Sequence, residues 1–310
     1  MSRDEREGAF RGEGAMSPPG MLPPASSGPE GMRRGRGSSW YVWVIGGCLG
    51  TLAVLVVGCA LISGAVGGLL VRLANMREAD ASFAQTYTVA GRPQITVEDF
   101  AGTVTVAAGK AGAVQVTGTK RARAETDNVA QSGLSGITVT MQQQGNAITV
   151  RASASGNAGA SRSVDLTLTV PVEADLNLRL AAGDVEISGV SGALTVAAEA
   201  GNVELRQVTA MGTSQVSASA GDVTFDGALA DEAALTLTVG NGDVSVTLPP
   251  GTATHVQGQT RAGDVSVAGW PLATARNGAA ASVSGDTRTN PTSALTVTVS
   301  SGDISLHAAD

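Results

Sequence analysis

The phrase Ala220-Gly221-Asp222-Val223-Thr224-Phe225 carries the pattern that decides the fold of this chain. Its core, a glycine followed by Asp or Asn and then by Val or Ile, occurs six times, and the successive glycines lie 18, 20, 21, 21 and 39 residues apart. The longest step spans two periods, with a degenerate copy at Gly285-Asp286-Thr287 inside it. A period near 20 residues predicts a stacked repeat architecture. The glycines that mark the copies are Gly183, Gly201, Gly221, Gly242, Gly263 and Gly302.

Each copy contains turn-forming residues followed by a strand in which apolar and polar residues alternate, as in Val185-Glu186-Ile187. Most periods also hold a second alternating strand, such as Leu235 to Val239 or Leu295 to Val299. One repeat cannot bury its own apolar face, so neighbouring repeats must stack, and two strands per period predict two facing sheets. We therefore predict an all-β fold over residues 94–310, a β-solenoid or stacked two-sheet β-repeat.

The region before the regular repeats is also predicted to form strands. Ile137 to Val139 and Ile148 to Val150 alternate on either side of Gln144-Gly145-Asn146, which predicts a hairpin. Residues 120–136 are polar and are predicted to form a loop with a short helix. The basic residues in this segment, expected to be a solvated cluster, are Lys120, Arg121 and Arg123.

A long uncharged segment precedes the strands. Residues 40–71 contain no charged residue, and a helix of this length exceeds the ~30 Å hydrocarbon core of a bilayer. This predicts a single transmembrane helix, preceded by a disordered cytoplasmic tail (1–39) and followed by a juxtamembrane stalk (72–93). Arginines that precede the helix place the amino terminus in the cytoplasm and residues 94–310 outside. The alternative is a cleaved signal peptide, but 40–71 is long for its apolar region.

Spacing within the predicted membrane helix suggests weak self-association. Gly46 with Gly50 and Gly64 with Gly68 have the spacing that allows two helices to approach closely. Both cysteines of the chain, Cys48 and Cys59, also fall in this segment. The predicted outer domain therefore contains no disulfide and must be held by packing and backbone hydrogen bonds.

Charge excludes nucleic acid as a partner of the outer domain. Residues 94–310 contain 11 Lys and Arg and 20 Asp and Glu, a net charge of −9. Such a surface repels the phosphate backbone. The two histidines, His255 and His307, are too few for a structural zinc site when cysteine is lacking.

Three stretches give the chain a family resemblance: "VPVEADLNLRLAAGDVEISGVSGALTVAAEAGNVEL", "LPPGTATHVQGQTRAGDVSV" and "LTVTVSSGDISL". Residues 94–310 resemble the adhesin domain of bacterial membrane proteins of unknown function, which belongs to the toast-rack-like stacked β-folds. The resemblance implies the same all-β stack and brings no catalytic residues and no cofactor. Some similar domains occur in bacterial envelope-stress systems, which implies a second functional class.

The recurring aspartates have two interpretations. As calcium ligands they would form a column at one edge of the stack, as in shorter calcium-binding repeats. As turn residues their side chains would accept backbone N–H bonds beside a glycine with positive φ, and the structural turns would need no ion. One carboxylate in about 20 residues supplies few oxygens, which favours the second interpretation. The candidate calcium column consists of Asp184, Asp222, Asp243, Asp264 and Asp303.

Trp270 is the single tryptophan outside the residues around the predicted membrane helix. It is either an exposed binding anchor or a cap on the open edge of the stack, and we favour the cap. A Ser-His-Asp triad has its residue types available, but no nucleophile-elbow motif supports it, so we expect no enzyme activity.

We therefore expect a non-catalytic, membrane-tethered rod for surface display, adhesion or interaction. Its partners would be other envelope proteins or surface glycans. The alternative is a sensor of envelope stress that signals through a membrane partner.

Overall fold

Alternation of buried aliphatic and exposed polar side chains organises nearly every strand of the protein. A computed structural model describes residues 76–156 and 159–309, which lie in one compact unit, Ala65–Asp310. The single helix of this part of the chain, α1, is Asp127–Ser135, between β4 and β5. In chain order the strands are β1 Arg77–Thr88, β2 Gln94–Asp99, β3 Val104–Gly109, β4 Ala113–Ala124, β5 Ile137–Gln144, β6 Ala147–Ala154, β7 Ser161–Pro171, β8 Asp175–Ala182, β9 Val185–Ser188, β10 Ser191–Gly192, β11 Leu194–Ala200, β12 Val203–Ala210, β13 Thr213–Ala220, β14 Val223–Leu229, β15 Ala234–Asn241, β16 Val244–Leu248, β17 Thr254–Thr260, β18 Val265–Ala268, β19 Thr274–Asn277, β20 Ala280–Asp286, β21 Ser293–Ser301 and β22 Ile304–Ala308.

The strands form two sheets, which confirms the predicted two-sheet β-repeat. Sheet A has the order β1-β4-β7-β3-β9-β12-β14-β16-β22-β18, with β10 paired to β12. Sheet B has the order β19-β20-β17-β21-β15-β13-β11-β8-β2-β6-β5. Apart from β9 and the two-residue β10, which both lie in sheet A, strands that follow one another in the repeats lie in opposite sheets. Each turn of about 20 residues therefore contributes to both sheets.

The middle of the stack is parallel and in register. Val203 pairs with Val185 on one side and Val223 on the other, and the neighbouring residues follow without a shift through Arg206. Because residues of the same type are aligned, the inward side chains form continuous aliphatic rows, and Leu205, Phe225 and Val246 have no exposed surface. The alternating pattern in the sequence is sufficient to specify this core.

The last turn of the chain is not the last turn of the stack. Strand β22 lies between β16 and β18, and β21 lies between β15 and β17. The degenerate copy around Gly285 is therefore not a turn of the stack, contrary to prediction. It ends β20, which runs antiparallel to β17 and pairs Gly285 with Val256. A hairpin, β19–β20, accounts for much of the 39-residue step.

The amino-terminal part corrects two predictions. The segment predicted as a stalk, 72–93, contains β1, which pairs antiparallel with β4 along its whole length. The sheet therefore begins before residue 94. The basic cluster lies on strand β4 and not on a loop, where Arg121 contacts Asp165 at 3.0 Å and Lys120 donates to the Ile137 carbonyl at 3.2 Å. The predicted hairpin is present as β5–β6, and α1 is the predicted short helix.

Within residues 76–156 and 159–309, no helix has the length and apolar character needed to cross a bilayer. The segments predicted as cytoplasmic tail and membrane helix, 1–39 and 40–71, lie outside the residues that the structure describes. Their assignments, including the proposed glycine contacts between helices, stay predictions.

Candidate functional site

The repeated glycines form one column of turns at an edge of the stack. Their φ angles lie between 121° and 150°, a region that only glycine adopts readily. Each glycine also lies directly against the next turn: a Cβ atom on Gly221 would be 2.0 Å from the carbonyl oxygen of Gly201. Glycine is therefore required twice, for its conformation and for the close approach of two backbones. In spatial order the column is Gly102, Gly183, Gly201, Gly221, Gly242, Gly302 and Gly263.

The Asp and Asn residues that follow these glycines form a ladder of side-chain hydrogen bonds. In all but the terminal residue of the ladder, the Oδ1 atom accepts the backbone N–H of the corresponding residue in the adjacent turn. Asp222 accepts from Asp243 at 2.8 Å, and Asn202 accepts from Asp222 at 3.0 Å. Because Asn serves as well as Asp, the ladder requires a side-chain oxygen that accepts a hydrogen bond, and that oxygen need not carry a charge. The complete ladder is Asp184, Asn202, Asp222, Asp243, Asp303 and Asp264.

The same contacts bear on the calcium hypothesis without testing it. Five of the six side chains use Oδ1 in a backbone bond, and the terminal one, Asp264, pairs through Oδ1 with Arg276. In the described ranges, no three His, Cys, Asp or Glu side chains converge in a way that would hold a metal ion. The geometry supports the turn interpretation, and calcium binding stays a hypothesis.

Trp270 lies on the loop after β18, where sheet A ends. It is partly buried and packs against the aliphatic core together with Leu272. Its Nε1 atom is buried and has no hydrogen-bond partner among the described residues. These features fit an apolar cover over the end of the stack.

His255 lies on β17 and has hydrogen-bond partners on both ring nitrogens. Nδ1 contacts Oδ1 of Asp286, and Nε2 lies 3.2 Å from the side-chain amide of Gln257. A triad would require a serine hydroxyl at the second nitrogen. Here an amide occupies that place, and the pair lies at the surface.

Asp99 was missed by the sequence reasoning, although the alternation Ile95, Val97, Asp99 places it on the buried face of β2. It is 5% exposed, and its Oδ2 atom has no partner in the described part of the chain. Burial raises the pKa of Asp99 to about 7, while N–H bonds from Ala101 and Phe100 oppose the shift and the nearby Asp165 adds to it. The paired residue in the next turn is Leu180, so a carboxyl occupies an aliphatic core position.

Comparison with known proteins identifies the fold. The sequence profile of the family described as Toastrack DUF4097 matches residues 93–310. No curated protein matches the chain.

Solved bacterial structures are similar over most of the described region, at low identity. A "putative cell adhesion protein" from Clostridium sporogenes is 10% identical, covers 74% of this chain and 100% of its own, and has a TM-score of 0.40. A "putative adhesin" from Bacteroides fragilis is 13% identical, covers 73% and 97%, and has a TM-score of 0.38. A "putative lipid binding protein" from Parabacteroides distasonis is 10% identical, covers 72% and 96%, and has a TM-score of 0.27.

Proposed function

The chain belongs to the toast-rack DUF4097 family, and on that premise we propose that its β-stack is a non-catalytic interaction module displayed at the cell envelope. The module would be tethered by the predicted membrane helix, 40–71, with its amino terminus in the cytoplasm. Its partners would be other envelope proteins or surface glycans.

One observation carries this proposal: the groups that recur in every turn are used inside the stack. The Oδ1 atoms of the Asx ladder accept backbone N–H bonds between turns, and the glycines make room for neighbouring carbonyls. The aliphatic residues of each strand fill the core. What differs from turn to turn is the set of outward side chains, and a stack of this kind suits the presentation of such faces to a partner.

The net negative charge of the domain also limits which partners it can bind. A net charge of −9 over residues 94–310 opposes binding to nucleic acid or to the anionic surface of a membrane. Contact with a membrane would therefore be confined to the predicted helix.

The test is cross-linking of the full-length chain in native membranes, followed by identification of what it captures. Capture of surface polysaccharide or of envelope proteins without a signalling role would support the display module. Capture of a histidine kinase or an anti-sigma factor would favour the signalling alternative. Turnover of any glycan or peptide by the purified chain would overturn the non-catalytic assignment.

The topology is tested separately by protease added to intact cells. Loss of residues beyond 80, with an amino-terminal tag retained, is the expected result. Loss of the tag instead would contradict the proposed orientation.

A further inference from the structure

One backbone hydrogen bond recurs along the parallel part of sheet A. The first inward residue of each strand donates its N–H to the backbone carbonyl of the Asp or Asn in the adjacent turn, at 2.9 Å in each case. The donors, in spatial order, are Val104, Val185, Val203, Val223, Val244 and Ile304. The series ends at Val265, because within the described residues no further strand of sheet A follows β18. The N–H of Val265 therefore points to an open edge, and so does that of Val267, two residues along the same strand.

The inward side chains of β18 are less well covered than those of the strands before it. In the first inward row of sheet A, Val244 and Ile304 expose at most 1% of their surface, whereas Val265 is partly exposed. In the second row the same difference separates Leu306, which has no exposed surface, from Val267. Strand β18 thus presents an unpaired backbone edge beside two apolar side chains that are incompletely buried.

Sheet B extends further than sheet A at this end of the stack. Strands β17 and β18 belong to one turn, but sheet B continues from β17 through β20 to β19, whereas β18 is the last strand of sheet A. At the tip of the β19–β20 hairpin, the carbonyl of Ala279 accepts the N–H of Gly263 at 3.1 Å. Within the described residues, the hairpin thus makes the contact of a next turn with Gly263 but gives no backbone acceptor to Val265. A strand beside β18 would complete that turn.

The two edges of sheet A differ in how they are protected against strand addition. At the amino-terminal edge, β1 carries the charged residues Arg77, Glu78 and Asp80, and charge on an edge strand discourages pairing with another chain. At the other edge, β18 consists of Val-Ser-Val-Ala and has neither a charge nor a proline. Of the two edges, β18 is therefore the one at which a further strand can add.

We propose that the edge of β18 binds an extended segment of a partner protein, which adds to sheet A as one further strand; this rests on the proposed function and takes an envelope protein as its partner. The backbone of the segment bonds to Val265 and Val267, and its alternate apolar side chains cover those of β18. A second copy of this chain fits less well. If two β18 edges paired about a twofold axis, the sheet B extensions of both copies would occupy the same space, whereas a single segment has no such conflict.

The test uses a fluorescently labelled peptide with the sequence of residues 240–248, GNGDVSVTL, which contains strand β16 and its alternating valines. Fluorescence anisotropy measures its binding to the purified full-length chain in detergent. Val265→Pro removes the free N–H without breaking a hydrogen bond of the stack, so it should weaken binding by about tenfold or more. The matched control is Val265→Thr, which also replaces the apolar side chain but keeps the N–H. It should bind within about threefold of the wild type.

Urea unfolding of both variants checks that the stack is intact. Equal binding by the wild type and Val265→Pro, or no binding of the peptide by the wild type, would overturn the proposal. Self-association of the wild-type chain that Val265→Pro abolishes would also overturn it, because a second copy would then be the occupant. If the wild type and Val265→Pro capture the same envelope proteins in native membranes, the interaction module stands and the β18 edge is not its binding site.

Discussion

The middle of the stack and its amino-terminal end share two sheets but are held together by different means. In the middle, from β8 to β16, successive turns pair in parallel, and each is closed by a glycine and an Asx side chain against the next turn. At the amino-terminal end β1, β4 and β7 pair antiparallel, and the sheet is crossed by ion pairs such as Arg123 to Glu78 at 3.0 Å. Repeating contacts suffice where every neighbour is alike, whereas an end needs side chains of its own.

The two regions also differ in what they bury at equivalent positions. The third inward-facing residue of a sheet B strand is Leu180 in β8 and Ala198 in β11, but Asp99 in β2. Burial of Leu180 and Ala198 stabilises the stack, whereas burial of the ionised Asp99 carboxylate destabilises it. At this core position the middle of the stack has no ionisable side chain, whereas the amino-terminal end has the carboxyl of Asp99.

The largest effect should come from filling the close contact between two middle turns. Gly221→Val adds strain at a φ of 136° and places Cβ against the Gly201 carbonyl, which together should cost about 5 kcal/mol of unfolding free energy. The control is Gly212→Val, because Gly212 also has a positive φ but has open space around its Cβ position. It should cost about 1–3 kcal/mol in urea unfolding. Equal costs at the two sites would show that contact between the turns is not tight.

The next effect concerns Asp99 and is pH-dependent. Its folded-state pKa of about 7 exceeds the unfolded value of 3.8, so the folded state binds the proton more tightly. Its contribution to stability is therefore fully present below about pH 4, is lost as pH rises to about 7, and then stays constant. Asp99→Leu, which copies Leu180, should gain up to about 4 kcal/mol over the wild type between pH 4 and pH 8. Urea unfolding of both proteins across that pH range measures the difference in unfolding free energy. A difference that does not change with pH would contradict the raised pKa of a buried carboxyl.

Trp270 tests how the carboxy-terminal end is covered. As an apolar cap, Trp270→Ala should lower the unfolding free energy by about 2–3 kcal/mol, because a partly buried ring is removed from the core. Trp270→Phe should cost less than about 1 kcal/mol, since it keeps a ring and removes a buried N–H that has no partner. Thermal unfolding distinguishes the two. A Trp270→Phe protein of normal stability that no longer captures its partner would instead identify a binding anchor.

The smallest effect is expected in the Asx ladder, and it separates turn chemistry from calcium. Asp222→Asn should leave stability within about 0.5 kcal/mol, because Asn202 already fills the same role. Asp222→Ala should cost about 1 kcal/mol, since the Asp243 N–H loses its acceptor. Calcium should not change the melting temperature of either the wild type or Asp222→Asn. A large rise with calcium in the wild type that Asp222→Asn abolishes would restore the ion as a ligand.

Much of the stack can be predicted from the sequence because the patterns that specify it are local. The period of the Gly-Asx phrase predicts a stacked turn, alternation predicts which side chains are buried, and two strands per period predict two sheets. Gly102 was not predicted to belong to the glycine column, because Thr103 follows it in place of the usual Asp or Asn. Its Gly-x-Val-x-Val pattern nevertheless matches that of the repeats. Asp99 was likewise visible in the alternation of β2.

What the tertiary structure alone decided is the order in which the turns stack and what each face presents. No local pattern states that β21 and β22 insert between earlier turns, because every turn carries nearly the same glycine, Asx and aliphatic residues and could pair with several neighbours. The outward rows of each sheet arise in the same way, since outward residues become neighbours only when strands from distant turns pair. The sequence by itself determined the repeating unit, its buried side and its turn chemistry. The pairing of units, which depends on long-range backbone hydrogen bonds and on the ends that cover them, needed the fold.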